Sequence, residues 1–426
     1  MKLPRFFQNV APNFSVIDVK EWLNWGVIEI YLRKNQGGKC TCSVCGTPLG
    51  ALRGKHPMNI KHLPIFNYEC RLIFWREKRD CPKCKKARSE KIEFIAPETP
   101  HLSLEYSWWL GRFCEIAPVS KVADRAGMDD VTLYRIDYER LRRMFQLYKI
   151  PSVKRISVDE IHAHTRGHPG GGKWKRSYLT IVTDLDTKKV IWAGPARSKE
   201  TLDEFFKIIG PKMCSQITVV VTDQFDGYRA SAREYCPNST FVLDRFHLLK
   251  NFEETLNQER KEIYTRAEDG EVKDKMSGKF RFLLLKKASR RTDKQARHIE
   301  TVASANKEFY HLELIKERML HFFDEPTAED GMKVLLEIGE WIGQCGFGEL
   351  GRWYRDFMRE WDTIKNWFTC RVTTALSEGL NNVIKALKRR AFGYRNLTYF
   401  RFKIMQVCGY LNSQHVSFSE YAKARM

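Results

Sequence analysis

Val219-Val220-Val221-Thr222-Asp223 is a run of β-branched residues closed by a carboxylate, and the rest of the chain is read outward from it. Val and Thr favour extended backbone, and a short unbroken apolar run suits a strand buried on both faces. Ile156-Ser157-Val158-Asp159 repeats the arrangement earlier in the chain. Asp159 and Asp223 are therefore expected at or near the C-terminal ends of two strands, and they converge if those strands are neighbours. Far downstream, Ser377-Glu378-Gly379-Leu380-Asn381-Asn382 falls in a stretch that reads as helix, and Glu378 is expected beside the two aspartates. Carboxylates gathered from separate elements are what two-metal phosphodiester chemistry needs. Mg²⁺ or Mn²⁺ would bind their oxygens, with water and substrate phosphate filling the other positions. Glu160, Asp184, Asp186, Asp226 and Asp244 are rival acids.

The surrounding pattern gives an organisation. Val27 to Arg33 alternates like a strand. Residues 154–192 read as three strands, with a turn at Asp184-Leu185-Asp186-Thr187. A helix is expected over Thr201 to Ile209, a buried strand over Ile217 to Val221 and another over Thr240 to Leu243. From Leu248 to about Ile364 the chain is rich in Lys, Glu and Leu without strand signals, so it reads as helical. The expected domains are 1–90, a zinc-binding module; 91–150, a helix-turn-helix; 151–250, the first part of an α/β core; 251–364, a helical insertion; and 365–426, the last part of the core, with the Glu378 helix and a basic C-terminal helix.

Composition narrows the class. The chain has 426 residues, with 73 Lys and Arg against 52 Asp and Glu, a net charge of +21 and 12% aromatic residues. That aromatic share is too high for a disordered basic tail. A folded basic protein of this kind points to a polyanion, nucleic acid first. The twelve Cys show no dense secreted-type framework, and no apolar run approaches bilayer length. A soluble protein of a reducing compartment, without a membrane partner, is the expectation.

Cys42-x-x-Cys45-Gly46 and Cys81-Pro82-Lys83-Cys84 are two metal-binding knuckles. Two such pairs complete a tetrahedral four-thiolate zinc site, which leaves no open position and is therefore structural. Cys40 is an alternative to Cys42, and His56 and His62 lie in the intervening loop. Lys78, Arg79, Lys83, Lys85, Lys86 and Arg88 crowd the second knuckle and suit phosphate contacts.

Ser120 to Ile136 fits a helix-turn-helix. Ser120 is expected to cap the first helix, Ala123 to sit at the crossing and Gly127 to make the turn. Met128, Leu133 and Ile136 face the core. That leaves Asp130, Thr132, Tyr134 and Arg135 exposed, with Thr132, Tyr134 and Arg135 the candidate groove readers. On the Glu378 helix, Asn381, Asn382 and Lys385 share a face, and Lys388, Arg389, Arg390 and Arg395 extend a basic track toward DNA.

These residues together resemble the ISL3 family of bacterial insertion-sequence transposases. The resemblance runs over nearly the whole chain. It rests on the knuckles, the helix-turn-helix, Ser157-Val158-Asp159-Glu160, Thr222-Asp223, Leu243-Asp244-Arg245-Phe246-His247, and Ser377 to Asn382 continued through Lys388-Arg389-Arg390-Ala391-Phe392-Gly393-Tyr394-Arg395-Asn396. It implies an α/β, ribonuclease-H-like core with Asp159, Asp223 and Glu378 as the metal-binding triad, interrupted by an all-helical insertion. Asp244-x-x-His247 resembles an accessory signature found between the second and third acids of such enzymes. The resemblance also implies binding of terminal inverted repeats, hydrolysis at the element ends and strand transfer into target DNA in a bacterial cytoplasm, near the nucleoid. A homodimer on DNA is expected because two ends need two active sites. Trp341, Trp353, Trp361 and Trp367 read either as base-stacking residues or as helical core. His162, His164 and His168 with Pro169-Gly170-Gly171-Gly172 depart from the pattern and read as a flexible hairpin loop. The rival readings are a zinc-containing helix-turn-helix regulator that binds DNA without cutting it and an inactive relative.

Overall fold

The computed structural model describes residues 11–37, 40–166, 175–267, 270–372 and 375–423. The chain forms two compact units, residues 1–149 with 387–426, and residues 150–386.

The first unit begins with a five-stranded sheet, β1 (Phe14–Trp22), β2 (Val27–Lys34), β3 (Leu52–Ile65), β4 (Tyr68–Cys81) and β5 (Lys86–Ser89), in the order β1-β2-β4-β3 with β5 on β4. Its core is a triangle of Phe14, Phe74 and Phe94, edge to face at 5.3–5.4 Å, over Ile30, Leu32, Ile60 and Leu72. Three helices follow: α1 (Leu104–Ile116), α2 (Val119–Ala126) and α3 (Asp130–Leu147). Ser103 caps α1 by accepting from Tyr106 N, and Asp129 caps α3 by accepting from Thr132 N. Gly127 ends α2 at φ 60°, a left-handed conformation that glycine adopts without strain. Ala123, Leu133 and Ile136 are buried as expected. Ser120 is not the cap of α2, because the helix starts at Val119 with Pro118 before it.

The second unit holds another five-stranded sheet: β6 (Arg155–Arg166), β7 (Lys175–Asp184), β8 (Lys189–Pro195), β9 (Val219–Thr222) and β10 (Thr240–Leu243), in the order β10-β9-β6-β7-β8. β6, β7 and β8 pair antiparallel, whereas β9 lies parallel to both β6 and β10. All of Val219–Thr222 is buried, which is why that strand reads as a continuous apolar run rather than an alternation. Helix α4 (Lys199–Cys214) follows β8, α5 (Asp226–Tyr235) follows β9 and α6 (Arg245–Arg266) follows β10. His162 and His164 belong to β6 rather than to a loop, since the strand runs on to Arg166 and pairs His162 with Tyr178. His168 and Pro169–Gly172 lie outside the described residues.

Helices α7 (Gly270–Lys275), α8 (Phe280–Leu284), α9 (Asp293–Ala305), α10 (Lys307–Phe322), α11 (Ala328–Cys345), α12 (Gly348–Arg359), α13 (Trp361–Ile364) and α14 (Asn366–Cys370) form the expected helical stretch. Phe252, Leu312, Ile315, Met319, Phe322, Val334 and Ile338 make its core. Trp353 and Trp367 are buried in that core, and Trp341 and Trp361 pack against it, so these four rings are spent on folding. The buried carboxylate of Glu259 accepts from Glu349 N and Leu350 N and thereby satisfies the start of α12. No described helix is long and apolar enough to cross a membrane.

Helix α15 (Ala375–Arg390) crosses the division between the units, and α16 (Leu397–Val407) and α17 (Phe418–Lys423) complete the first. Residues 387–426 thus join the N-terminal unit, not the core expected for 365–426. The cause is a buried ionic network. Asp137 of α3 is fully buried between Arg140 and, from α16, Lys403 at 3.3 Å and the hydroxyl of Tyr399 at 2.6 Å. Arg140 also donates to Gly111 O at 2.9 Å. A Cβ at position 111 would stand 2.0 Å from Arg140 Nε, so this helical glycine makes room for the guanidinium. Burial alone would raise the Asp137 pKa, but Lys403 and Arg140 outweigh it and hold the carboxyl ionised. Removing the anion strands two buried cations. Asp137→Ala is expected to cost about 3–5 kcal/mol of stability in urea unfolding; a loss below about 1 kcal/mol, the range of an exposed pair, would show the network to be unimportant.

Candidate functional site

Strand register sets the first part of the site. Val158 pairs with Thr222 and Thr222 with Leu243, so the next residues, Asp159, Asp223 and Asp244, stand level on three adjacent parallel strands. Asp223 and Asp244 are buried, and the Asp159 side chain is 13% exposed. Each turns one oxygen to a following backbone N–H: Asp159 to Glu160 at 2.7 Å, Asp223 to Phe225 at 3.1 Å and Asp244 to Phe246 at 2.8 Å. These contacts leave the second oxygens for other partners.

Two side-chain cations meet those acids. Arg197 donates to Asp223 Oδ2 at 2.6 Å, lies 3.3 Å from Glu160 and covers the Phe225 ring. His247, in the first turn of α6, places Nε2 3.7 Å from Asp159 and 3.9 Å from Asp244. Burial pulls the His247 pKa down, yet Asp159 above all, then Asp244 and Asp223, lifts it to about 9. Burial likewise opposes ionisation of Asp159, but His247 and then Asn381 hold its pKa below the usual value. Glu160 moves the other way, to about 7, through burial and the neighbouring Asp223 charge.

Helix α15 reaches this cluster through Asn381, whose amide donates to Asp159 Oδ2 at 2.6 Å. Glu378 lies one turn earlier on α15 and is exposed. Among the described residues, no set of ligand atoms within 4.8 Å of one another unites Asp159, Asp223 and Glu378. Arg197 escaped the sequence reading, since an Arg in a loop before a helix carries no signal. Asn381 was legible as a neighbour of Glu378 on one helix face, but not as a partner of Asp159.

The cysteines form a second centre. Cys42, Cys45, Cys81 and Cys84 place their Sγ atoms within 4.8 Å of one another. Sulfur–sulfur separations are 3.4 Å for Cys45 with Cys81, 3.5 Å for Cys45 with Cys84 and 4.0 Å for Cys42 with Cys84. Those spacings bracket the ~3.8 Å between sulfurs on a tetrahedral zinc with ~2.3 Å bonds. The two knuckles share a design. Val44 N donates to Cys42 Sγ and Cys84 N to Cys81 Sγ, and a left-handed residue, Gly46 or Lys85, ends each turn. Cys42, not Cys40, belongs to the set. The Cys40 thiol donates to Glu90 at 2.9 Å and accepts from Lys34 at 3.0 Å. Cys40, Glu77 and Glu90 also converge, but the Lys34 ammonium, paired with both acids, already supplies their cation.

Of the residues expected to face DNA, Arg135, Lys385, Arg389, Arg390 and Arg395 are exposed, and Thr132 and Lys388 are half-buried. Tyr134 is not exposed as expected. Its ring packs edge to face on Tyr399 at 4.8 Å, and its hydroxyl accepts from Asn396 at 3.1 Å. The aromatic ring is committed to α16, whose packing against α3 sequence spacing does not reveal.

A family model of the ISL3 DDE group, described as a transposase, matches residues 156–404, more than half of the chain. The chain is 24% identical over 383 residues to the transposase for insertion sequence element IS1001 of Bordetella parapertussis, covering 88% of this chain and 90% of that one. It is 26% identical over 269 residues to the transposase for insertion sequence element IS1557 of Mycobacterium tuberculosis, 58% of each chain.

The thiolate cluster generates a prediction independent of those relatives. Protein prepared without chelator is expected to carry about one tightly held soft divalent ion per chain, zinc foremost. Cys81→Ser should strip it and lower the melting temperature. Elemental analysis of both proteins checks this, and undiminished metal in Cys81→Ser would remove these thiols as its ligands.

Proposed function

Because the chain belongs to the ISL3 family of DDE transposases, a family of DNA-cutting enzymes, we propose that it binds the terminal inverted repeats of an insertion sequence and cuts and joins DNA there with divalent metal. Asp159, Asp223 and Glu378 are the proposed metal-binding carboxylates. The observation that carries this reading is the level placement of Asp159, within β6, and Asp223, just past the end of the parallel strand β9 beside it, inside the stretch that the family model covers. The order β10-β9-β6-β7-β8, with three antiparallel strands continued by two parallel ones, supports a ribonuclease-H-like core.

The donor set suits a hard cation such as Mg²⁺ or Mn²⁺ in kind, since Asp159 and Asp223 offer carboxylate oxygens from adjacent strands, with Arg197 and His247 beside them. When bound, two such ions activate the attacking oxygen and stabilise the leaving one. In this reading Asn381 fixes the orientation of the Asp159 carboxylate, and Arg197 fixes that of Asp223. Asp244 and His247 form an accessory pair, with His247 joined electrostatically to Asp159. Glu378 is contributed by α15, one turn from Asn381.

The helical pair α2–α3 is the proposed helix-turn-helix, with Arg135 its most exposed candidate reader, and Lys385, Lys388, Arg389, Arg390 and Arg395 serve the DNA backbone. The four thiolates serve a structural zinc, since such a site keeps no open position. Joining two ends argues for a homodimer on DNA. Nicking of a plasmid that carries the element ends, with Mg²⁺ or Mn²⁺, tests the whole. Asp159→Asn, Asp223→Asn and Glu378→Gln are each expected to lower cleavage by at least about a thousandfold while end binding changes little. Any one of them cutting at the wild-type rate would remove that residue from the site.

A further inference from the structure

Phe392 is fully exposed, at 101% of the reference area, and its φ is +52°. Both facts need a cause. Gly393 N donates to Lys388 O at 2.9 Å and Phe392 N to Arg389 O at 3.0 Å, the bonding pattern that closes a helix through one left-handed residue. Glycine normally takes that position because a side chain strains it. Here phenylalanine occupies it, and glycine comes one residue later. The turn would form at least as well with glycine at 392, and the ring gains no burial by being there. The fold therefore does not account for this side chain.

The surroundings indicate a polyanion. Between Glu378 and Glu420 the chain has Lys385, Lys388, Arg389, Arg390, Arg395, Arg401 and Lys403 and no acid. Arg389, Arg390 and Arg395 are exposed close to Phe392 in sequence, Arg390 and Arg395 line the same cleft as the ring, and Arg390 is anchored to Ile116 O at 2.9 Å. Beside the ring opens a cleft of about 510 Å³ within the first unit, lined by Phe392, Tyr394, Tyr134, Val131 and Arg390, with Asp130 its one acid. Val131, at the start of α3, is 75% exposed. An aromatic face framed by guanidinium groups, next to an apolar cleft that admits a purine ring, is a stacking site for a nucleobase.

We propose that Phe392 stacks on a base displaced from the duplex at the element end, while Arg389, Arg390 and Arg395 hold the adjoining phosphates. This rests on the transposase reading and adds to it a residue that deforms the DNA. The experiment uses the full chain with its metal and a set of duplexes covering the element end and its flank, each with 2-aminopurine at one position. Anisotropy reads binding, and 2-aminopurine fluorescence reads unstacking. Wild-type protein is expected to raise the fluorescence at one or two adjacent positions. Phe392→Gly should fold with an unchanged or higher melting temperature, lose that signal and bind roughly five- to a hundredfold more weakly. Phe392→Trp should keep the signal. Phe66, which is 92% exposed at φ +54° in the β3–β4 turn with no such arginine frame, provides the matched control as Phe66→Gly. Unchanged affinity and signal in Phe392→Gly would overturn the proposal, as would an equal loss in Phe66→Gly. Failure of the wild type to bind any end duplex would instead sink the end-binding reading on which the proposal stands.

Discussion

Three carboxylates, Asp159, Asp223 and Asp244, are held level on adjacent parallel strands, the first within β6 and the other two just past β9 and β10, and like charges so placed repel. The rest of the second unit is arranged around that repulsion. The backbone N–H groups of Glu160, Phe225 and Phe246 donate to these carboxylates, and Arg197 and His247 meet the remaining charge. Strand pairing makes the placement rigid, because a slip of one residue would turn every side chain to the opposite face. The buried Val219–Val221 run resists such a slip, since it is apolar on both faces and has neighbours to satisfy on each. The energetic weight of the site therefore lies in the sheet, and the charged residues exploit a geometry that hydrophobic burial maintains.

The first unit uses the opposite device. Its C-terminal helix α16 is tied to α3 by a buried charge network rather than by apolar packing alone. Asp137, Arg140, Lys403 and Tyr399 satisfy one another, and Gly111 clears the space they need. Such networks are specific because any other pairing leaves a charge without a partner. The same network brings Tyr399 under Tyr134, which removes a ring from the surface of α3. Packing within the unit has thus decided which residues of α3 remain available to a ligand.

How much of this was legible depended on whether a local pattern carried the information. The strands that carry Asp159 and precede Asp223 and Asp244 are readable, since apolar runs and β-branched residues report burial directly, and β10 lies at the expected Thr240–Leu243; that β6 runs past Asp159 to Arg166 is not, because the later residues of that strand are mostly polar. The four thiolates were readable from two short spacings. The choice between Cys40 and Cys42 was not, because it turns on Lys34 and Glu90, which are distant in sequence. The long β3–β4 hairpin went unread because its many Lys and Arg mask the alternation of Ile60, Leu72 and Phe74. The four Trp of the helical stretch could be core or surface by spacing alone, and only the packing of α10 through α14 distinguishes the two. Membership of residues 387–426 in the first unit was invisible for the same reason: a buried Lys403 looks in sequence like any other basic residue.

Glu378, the third acid of the proposed triad, differs from the first two in what holds it. Asp159 and Asp223 are placed by backbone hydrogen bonds in a fixed register, and no side-chain choice can move one against the other. Glu378 rides on a helix, whose position depends on side-chain contacts, and α15 meets Asp159 through the amide of Asn381. Asn381 is an uncharged donor, so it draws the helix to the carboxylate without adding to the repulsion there. A glutamate in its place would bring a second anion against Asp159. Under the proposed triad, one helical turn separates the residue that binds Asp159 by hydrogen bonding from the residue that would need a cation to approach it. That difference would make the placement of α15 the part of the proposed site most responsive to the charge gathered at Asp159 and Asp223.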